Sequence, residues 1–363
     1  MTNSIPDLGR IDPTRFESPA ILKRVAAASR QLAELKGVAA SIPNQSILVN
    51  SLGIQEAKDS SAIENIVTTH DELFRDAAFP DVGSPAANEV LRYRQALGIG
   101  FELVRTTGVL SNNHILRIQE ALERNEAGFR RIPGTTLKDA AGRVVYTPPQ
   151  SATEVLQLMT RMESFVNDDT YPADPLIRMA LIHHQFESIH PFYDGNGRTG
   201  RIVNVLYLVK EGLLDTPVLY MSRYIVRNKA RYYQLLQNVR EHDAWEDWVM
   251  YMLTAVEETA RDGIATVGAI KHALLDVKHQ VRAGYKFYSK DLINNLFSHP
   301  YTKIQFVEDE LGVSRDTAQK YLEALTAGGI LRKVRVWRSN FYINVALYTI
   351  LAGESPRSGD SEN

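Results

Sequence analysis

Cysteine is absent from all 363 residues. Disulfides, thiolate nucleophiles and cysteine-ligated zinc are therefore excluded. An excess of one charge is missing too: 41 Lys and Arg stand against 43 Asp and Glu, a formal net charge of −2. Bulk electrostatics thus give no reason for nucleic-acid or membrane binding, and any such contact needs a local basic patch. No uninterrupted apolar run approaches the roughly 20 residues of a membrane span. The opening stretch, "MTNSIPDLGRIDPTRFESP", is polar and broken by prolines, unlike a signal peptide. The expectation is a cytoplasmic protein with no membrane partner, long enough for two or three domains.

What is present is helical rhythm. Residues 1–18 read as an irregular arm. Over 19–36, Ile21, Leu22, Val25, Ala26, Leu32 and Leu35 recur at near-helical spacing, with Gly37 placed to end the helix. Ser84 and Pro85 open another helix, and Asp174 and Pro175 open "LIRMALIHHQFESI". His183 and His184 fall on that apolar helix and read as core. The rhythm breaks at 128–150, where Gly, Pro and β-branched residues predict a β-hairpin with "RVVY" as its second strand. Helices resume to about 298. Then a helix, a turn at Gly312-Val313, a second helix from Ser314 and two strands give a winged helix-turn-helix pattern. The expected fold class is mainly α: a helical core with one hairpin flap, plus this C-terminal module.

Between two of these helices lies "HPFYDGNGRTGR", residues 190–201. Gly195 and Gly197 permit close backbone approach and positive φ, and Asn196 tolerates it. Successive N–H groups can then form an anion nest at a helix N-terminus. Arg198 offers a planar fork for phosphate oxygens, and Arg201 lies one turn on. Asp194 is a hard oxygen ligand that suits Mg²⁺ beside such phosphates. A neutral His190 could accept a proton from a hydroxyl. Taken singly, each feature has an ordinary alternative: a turn, a structural histidine, arginines capping carbonyls or pairing with acids.

Together the residues resemble the signature of the Fic family, matched at every fixed position from His190 to Arg201. The resemblance implies an α-helical fold and transfer of AMP from ATP to a Ser, Thr or Tyr hydroxyl of a protein. It implies His190 as general base, Asp194 as Mg²⁺ ligand, Gly195, Asn196, Gly197 and Arg198 as phosphate cradle, and Arg201 on the outermost phosphate. It also implies that the hairpin, with Arg143, Val144, Val145 and Tyr146, holds target backbone as an added strand. Tyr232, Tyr233 and Asn238 are candidates for an adenine pocket, with aromatic helix packing as the alternative.

Residues 60–65, "SSAIEN", admit two readings. Ser61-x-x-Glu64 is a capping box, the simpler explanation on sequence. Yet Ser60, Glu64 and Asn65 resemble the inhibitory motif that accompanies many Fic domains. There the glutamate pairs with the second arginine of the signature, here Arg201, and restrains the enzyme.

The resemblance implies an N-terminal helical region with the inhibitory helix over 1–110 and a catalytic core over 111–260. The C-terminal pattern sets a winged-helix domain at 261–353 and a disordered tail at 354–363. Arg315, Lys320, Arg332, Lys333, Arg335 and Arg338 make the winged helix locally basic, though Glu308, Asp309, Glu310, Asp316 and Glu323 offset much of it. DNA binding through that module, with a nucleotide-sensing core, is the competing reading. Removal of AMP, another nucleotide donor, self-modification and a homodimer are further alternatives. The target protein is not named by the sequence.

Overall fold

The structure, a computed structural model, describes residues 5–78, 84–139, 141–336 and 339–353. The segment from Leu8 to Phe16 packs against the core. Two 3-10 turns, Leu8–Arg10 and Pro13–Phe16, bury Leu8 and Phe16, and Arg15 pairs with Asp243 and Glu246. Helix α1 (Pro19–Ala40) starts at Ser18, whose side chain accepts from the Ile21 N–H. It does not stop at Gly37. A glycine inside a helix costs about 1 kcal/mol, and burial of Leu35 and Ala39 on either side carries the helix through to Ala40.

Helix α2 (Gln45–Ile63) ends at Glu64. The capping-box reading of Ser61 and Glu64 is therefore corrected, because it needs a helix beginning there. The reciprocal box lies further on. Glu72 Oε2 accepts from the Thr69 N–H at 2.8 Å and Thr69 Oγ1 accepts from the Glu72 N–H at 3.1 Å. These two bonds start α3 (His70–Ala78). Helix α4 (Pro85–Thr107), capped by Ser84, terminates at Gly108 with φ 72°. Helix α5 (Asn112–Glu123) follows.

The hairpin is short. Strands β1 (Leu137–Lys138) and β2 (Val144–Tyr146) pair antiparallel, Leu137 opposite Tyr146 and Lys138 opposite Val144. Arg143 lies before the strand, paired with Asp139 at 2.7 Å, instead of opening it as the sequence suggests. Helices α6 (Ala152–Val166), α7 (Pro175–Ile189) and α8 (Asn196–Lys210) come next. From Leu176 to Ile189 every residue of α7 is buried, and α8 is nearly as enclosed. This pair is the centre of the core. Helix α4 crosses it closely: a Cβ at Gly100 would sit 2.5 Å from Leu206 Cδ1, so any side chain there would displace Leu206.

Helices α9 (Ser222–Arg227) and α10 (Lys229–His242) lead into α11 (Trp245–Gly284), a single helix of 40 residues. It packs along α1, where Leu35 approaches Gly263, and it runs straight through position 260. Beyond it come α12 (Lys290–Ser298), β3 (Tyr301–Thr302), α13 (Ile304–Leu311), α14 (Arg315–Ala327), β4 (Leu331–Val336), β5 (Ser339–Asn344) and α15 (Val345–Ala352). Gly312, at φ 64°, turns the chain between α13 and α14, and Ser314 caps α14. The small sheet is antiparallel with order β3-β5-β4. Strand β3 and helix α15 have no counterpart in the sequence reading. Arg338 and the tail 354–363 lie outside the described residues.

Candidate functional site

His190 is the C-cap of α7, at φ 49° and ψ 60°. A left-handed histidine costs roughly 1–2 kcal/mol, and the surroundings hold it. Arg130 donates from Nε to the His190 carbonyl at 2.7 Å and from Nη2 to the Ile189 carbonyl at 3.2 Å. The Arg130 N–H reaches the Pro191 carbonyl at 2.8 Å. Phe192 is buried, and the Asn196 side chain closes the loop with bonds to both the N–H and the carbonyl of Phe192. The Tyr193 hydroxyl accepts from the Arg131 and Ile132 N–H groups, which ties the loop to the approach of the hairpin.

The imidazole is uncharged at neutral pH. Burial, with Arg130 and Arg240 nearby, lowers the His190 pKa to about 4, against the opposing influence of Glu64 and the Glu187 backbone. A neutral ring is the form that can take a proton. Asp194 is largely exposed and accepts the Gly195 N–H at 2.7 Å. Gly195, at φ 75°, is the N-cap of α8, which begins at Asn196.

Both arginines of the loop are buried against carboxylates. Arg201 donates from Nε to Ser60 Oγ at 2.8 Å, from Nη2 to the Ser60 carbonyl at 2.9 Å and from Nη2 to Glu64 Oε1 at 2.9 Å. Burial pushes the Glu64 carboxyl up, but Arg201, with Arg198 and Lys229, outweighs it and leaves the group below its usual value. The Glu64 oxygen lies against the loop backbone: a Cβ on Gly197 would sit 2.4 Å from it. Asn65, at φ 65°, turns the chain after α2, and its side chain accepts from Lys229 at 3.1 Å.

Arg198 is held elsewhere. Its Nη1 meets Glu89 of α4, and its Nη2 meets Glu123 of α5 at 2.9 Å. Burial leads in raising the Glu123 pKa, with Asp194 and Glu89 adding to it and Arg198 opposing it. Glu187, one turn before His190, is buried, and burial raises its pKa to about 7. Glu89, Glu123, Glu187 and Arg130 were not singled out in the sequence. For Glu187 the signal was available, since it sits three residues before His190. Glu89 and Glu123 arrive from α4 and α5 and Arg130 from the irregular segment after α5, and none leaves a trace near the loop.

Tyr232 is buried. Its hydroxyl lies 2.8 Å from His183 Nε2, and both rings pack with Trp248. Tyr233 is half exposed, close enough for Glu64 and Arg201 to act on its pKa. Asn238 is partly buried, and its carbonyl accepts the N–H at the end of α10. His183 and His184 are core residues, as expected. On the hairpin, Val144 and Val145 are exposed. The Tyr146 hydroxyl donates to the Ser188 carbonyl at 3.0 Å and Arg240 stacks on its ring at 3.9 Å. In the C-terminal sheet Lys333 already pairs with Glu323, and Arg315 lies 3.6 Å from Glu308.

Among the described residues no group of three His, Cys, Asp or Glu side chains could hold a metal ion. Asp194 alone still suits Mg²⁺, which usually takes one or two carboxylates with the rest from phosphate and water.

Three family models match this sequence. They are the Fic/DOC family N-terminal region over residues 22–102, the Fic/DOC family over 109–208, and the C-terminal domain of protein adenylyltransferase SoFic-like over 271–347. Protein adenylyltransferase fic-1 of Caenorhabditis briggsae is 31% identical over 132 residues, 34% of this chain and 24% of that protein. Protein adenylyltransferase Fic of Drosophila melanogaster is 30% identical over 112 residues, 31% of this chain and 21% of that protein. The match thus spans about a quarter or less of these curated relatives. A Fic family protein from Desulfovibrio desulfuricans G20 superposes with a TM-score of 0.57 at 22% identity, covering 90% of this chain and 96% of that one. A C. elegans Fic-1 fragment gives 0.54 at 22%, covering 70% and 75%. At that identity the likeness is one of fold.

Proposed function

This chain belongs to the Fic/DOC family, and from that premise we propose that it is a protein adenylyltransferase restrained by its own Glu64. The reading assigns transfer of AMP from ATP to a Ser, Thr or Tyr hydroxyl of a protein, this chain included. One observation carries it. A neutral imidazole and a hard carboxylate flank a glycine nest whose second arginine is gripped, at 2.9 Å, by a glutamate from α2.

His190 takes the proton of the incoming hydroxyl. The hydroxyl oxygen bonds to the α-phosphorus, the bond from that phosphorus to the bridging oxygen breaks, and pyrophosphate leaves. The backbone N–H groups of Asn196 and Gly197, at the start of α8, face the phosphates, while the Gly195 N–H is taken by Asp194. Arg201 holds the outermost phosphate once it is released from Glu64. Mg²⁺, held by Asp194, would supply charge neutralisation of the phosphates. The hairpin 137–146 offers its exposed edge to target backbone, although Gln237 already donates to the Val145 carbonyl at 3.1 Å.

The reading is tested by incubating wild type and Glu64→Gly with each α-labelled nucleoside triphosphate and Mg²⁺, then locating label by mass spectrometry. The expected product is AMP on a hydroxyl side chain, with ATP preferred. Label from another donor alone would reassign the transferred group, and no label from any donor in either protein would remove the reading.

The pH profile follows from burial. The His190 pKa is lowered from 6.5 to about 4. The base therefore stays neutral, and active, as pH falls from 7 towards 5, and is lost only near 4. Glu64→Gly also removes an acid that favours the charged ring. The acid limb of kcat/KM in that variant is expected near pH 4. A limb at 6.5 assigned to His190 would contradict the proposed burial of the base.

A further inference from the structure

A partly polar cavity is lined by no residue of the 190–201 loop. It has a volume of about 150 Å³ and opens where α2, α3 and α4 meet α12 and the turn into β3. Its lining includes Asn50, Arg94, Ser298 and His299, with Ile54 and Phe74 as an apolar wall. Among the described residues, the side chains of Arg94, Asn50 and Ser298 have no hydrogen-bond or ion-pair partner. His299 differs, since its ring lies 2.7 Å from Glu310. Arg94 is thus the uncompensated charge. Burial is the sole influence on its pKa, which it lowers, and no carboxylate acts to raise it.

A cation withdrawn from water without a counter-ion is destabilising. A free anion in the cavity would remove that penalty. The chemistry of the lining narrows its class. A guanidinium presents a planar fork that matches two oxygens of a phosphate. An amide N–H₂ and a hydroxyl add neutral donors. A cavity of about 150 Å³ has room for an anion of several heavy atoms. That admits a tetrahedral oxyanion together with ordered waters.

We propose that this junction binds a free phosphate-sized oxyanion, gripped by Arg94, with Asn50 and Ser298 donating to the same ligand. The site does not depend on the adenylyl-transfer reading, because none of its residues belongs to the 190–201 loop or to the Ser60–Asn65 segment.

The test uses the full chain and inorganic phosphate at constant ionic strength, followed by calorimetric titration and thermal melting. Wild type is expected to bind phosphate saturably and to melt higher with it. Arg94→Gln is expected to weaken binding at least tenfold. Asn50→Asp places a carboxylate in the cavity with the guanidinium. It is expected to abolish phosphate binding while melting no lower than wild type, which keeps the test valid should Arg94→Gln fold poorly. Wild-type phosphate affinity in either variant would overturn the proposal, as the anion would then sit elsewhere, for instance on the 190–201 loop. Absence of saturable binding by wild type, or an equal response to acetate, would overturn it as well.

Discussion

Glu64→Gly is expected to raise AMP incorporation about a hundredfold, the scale on which a displacement of about 1 Å alters rate. The carboxylate does two things in the folded chain. It holds Arg201 Nη2 at 2.9 Å, so the guanidinium is not free for an outer phosphate. It also lies where a Cβ on Gly197 would be 2.4 Å away, against the backbone that would face the phosphates, and like charge repels there. Glycine removes both effects. Arg201 keeps its bonds to Ser60 Oγ and the Ser60 carbonyl, so it stays in place rather than becoming a bare buried cation. The variant should therefore fold, with a modest fall in Tm. Quantified label on the protein checks this, and equal label in wild type and variant, both folded, removes the restraint from the account.

His190→Ala, made in the Glu64→Gly background, is expected to lower incorporation by a factor of about 10² to 10⁴, the range for loss of a general base. Binding of a non-hydrolysable ATP analogue should be nearly unchanged, because the ring is not among the phosphate donors. Alanine at φ 49° carries a backbone cost that histidine shares, so the melting temperature should move little. His190→Asn adds a control, since asparagine tolerates that conformation well. It should be as inactive as alanine and at least as stable. Retained transfer in both variants would show that the proton leaves by another route.

The loop was readable because its chemistry is contiguous: His190, Asp194, the glycines and both arginines fall within twelve residues, and one short turn brings them together. The contact of Glu64 with Arg201 was readable only through resemblance. Residue spacing favoured a capping box at Ser61, and the fold reverses that choice by ending α2 where the box would start a helix. The partners of Arg198 could not be read at all. Glu89 and Glu123 come from two consecutive helices far from the loop in sequence, and each looks like an ordinary surface acid until packing buries it against the guanidinium. Helix ends followed a similar rule. Ser84 and Asp174 mark real starts because their side chains satisfy N–H groups locally. Gly37 misleads because apolar packing of its neighbours outweighs its weak helix propensity.

Helix α11 packs against α1 and α7 and also against α12 and α15. At 1.5 Å per residue its 40 residues form a beam about 60 Å long. Its first half buries Trp245, Trp248 and Val256, and its second buries Val267, Ile270 and Val281. Severing the chain at 260 would leave each fragment with half a beam and a bare apolar stripe, so neither half is a natural expression unit. Calorimetry of the intact chain should accordingly trace one melting peak rather than two.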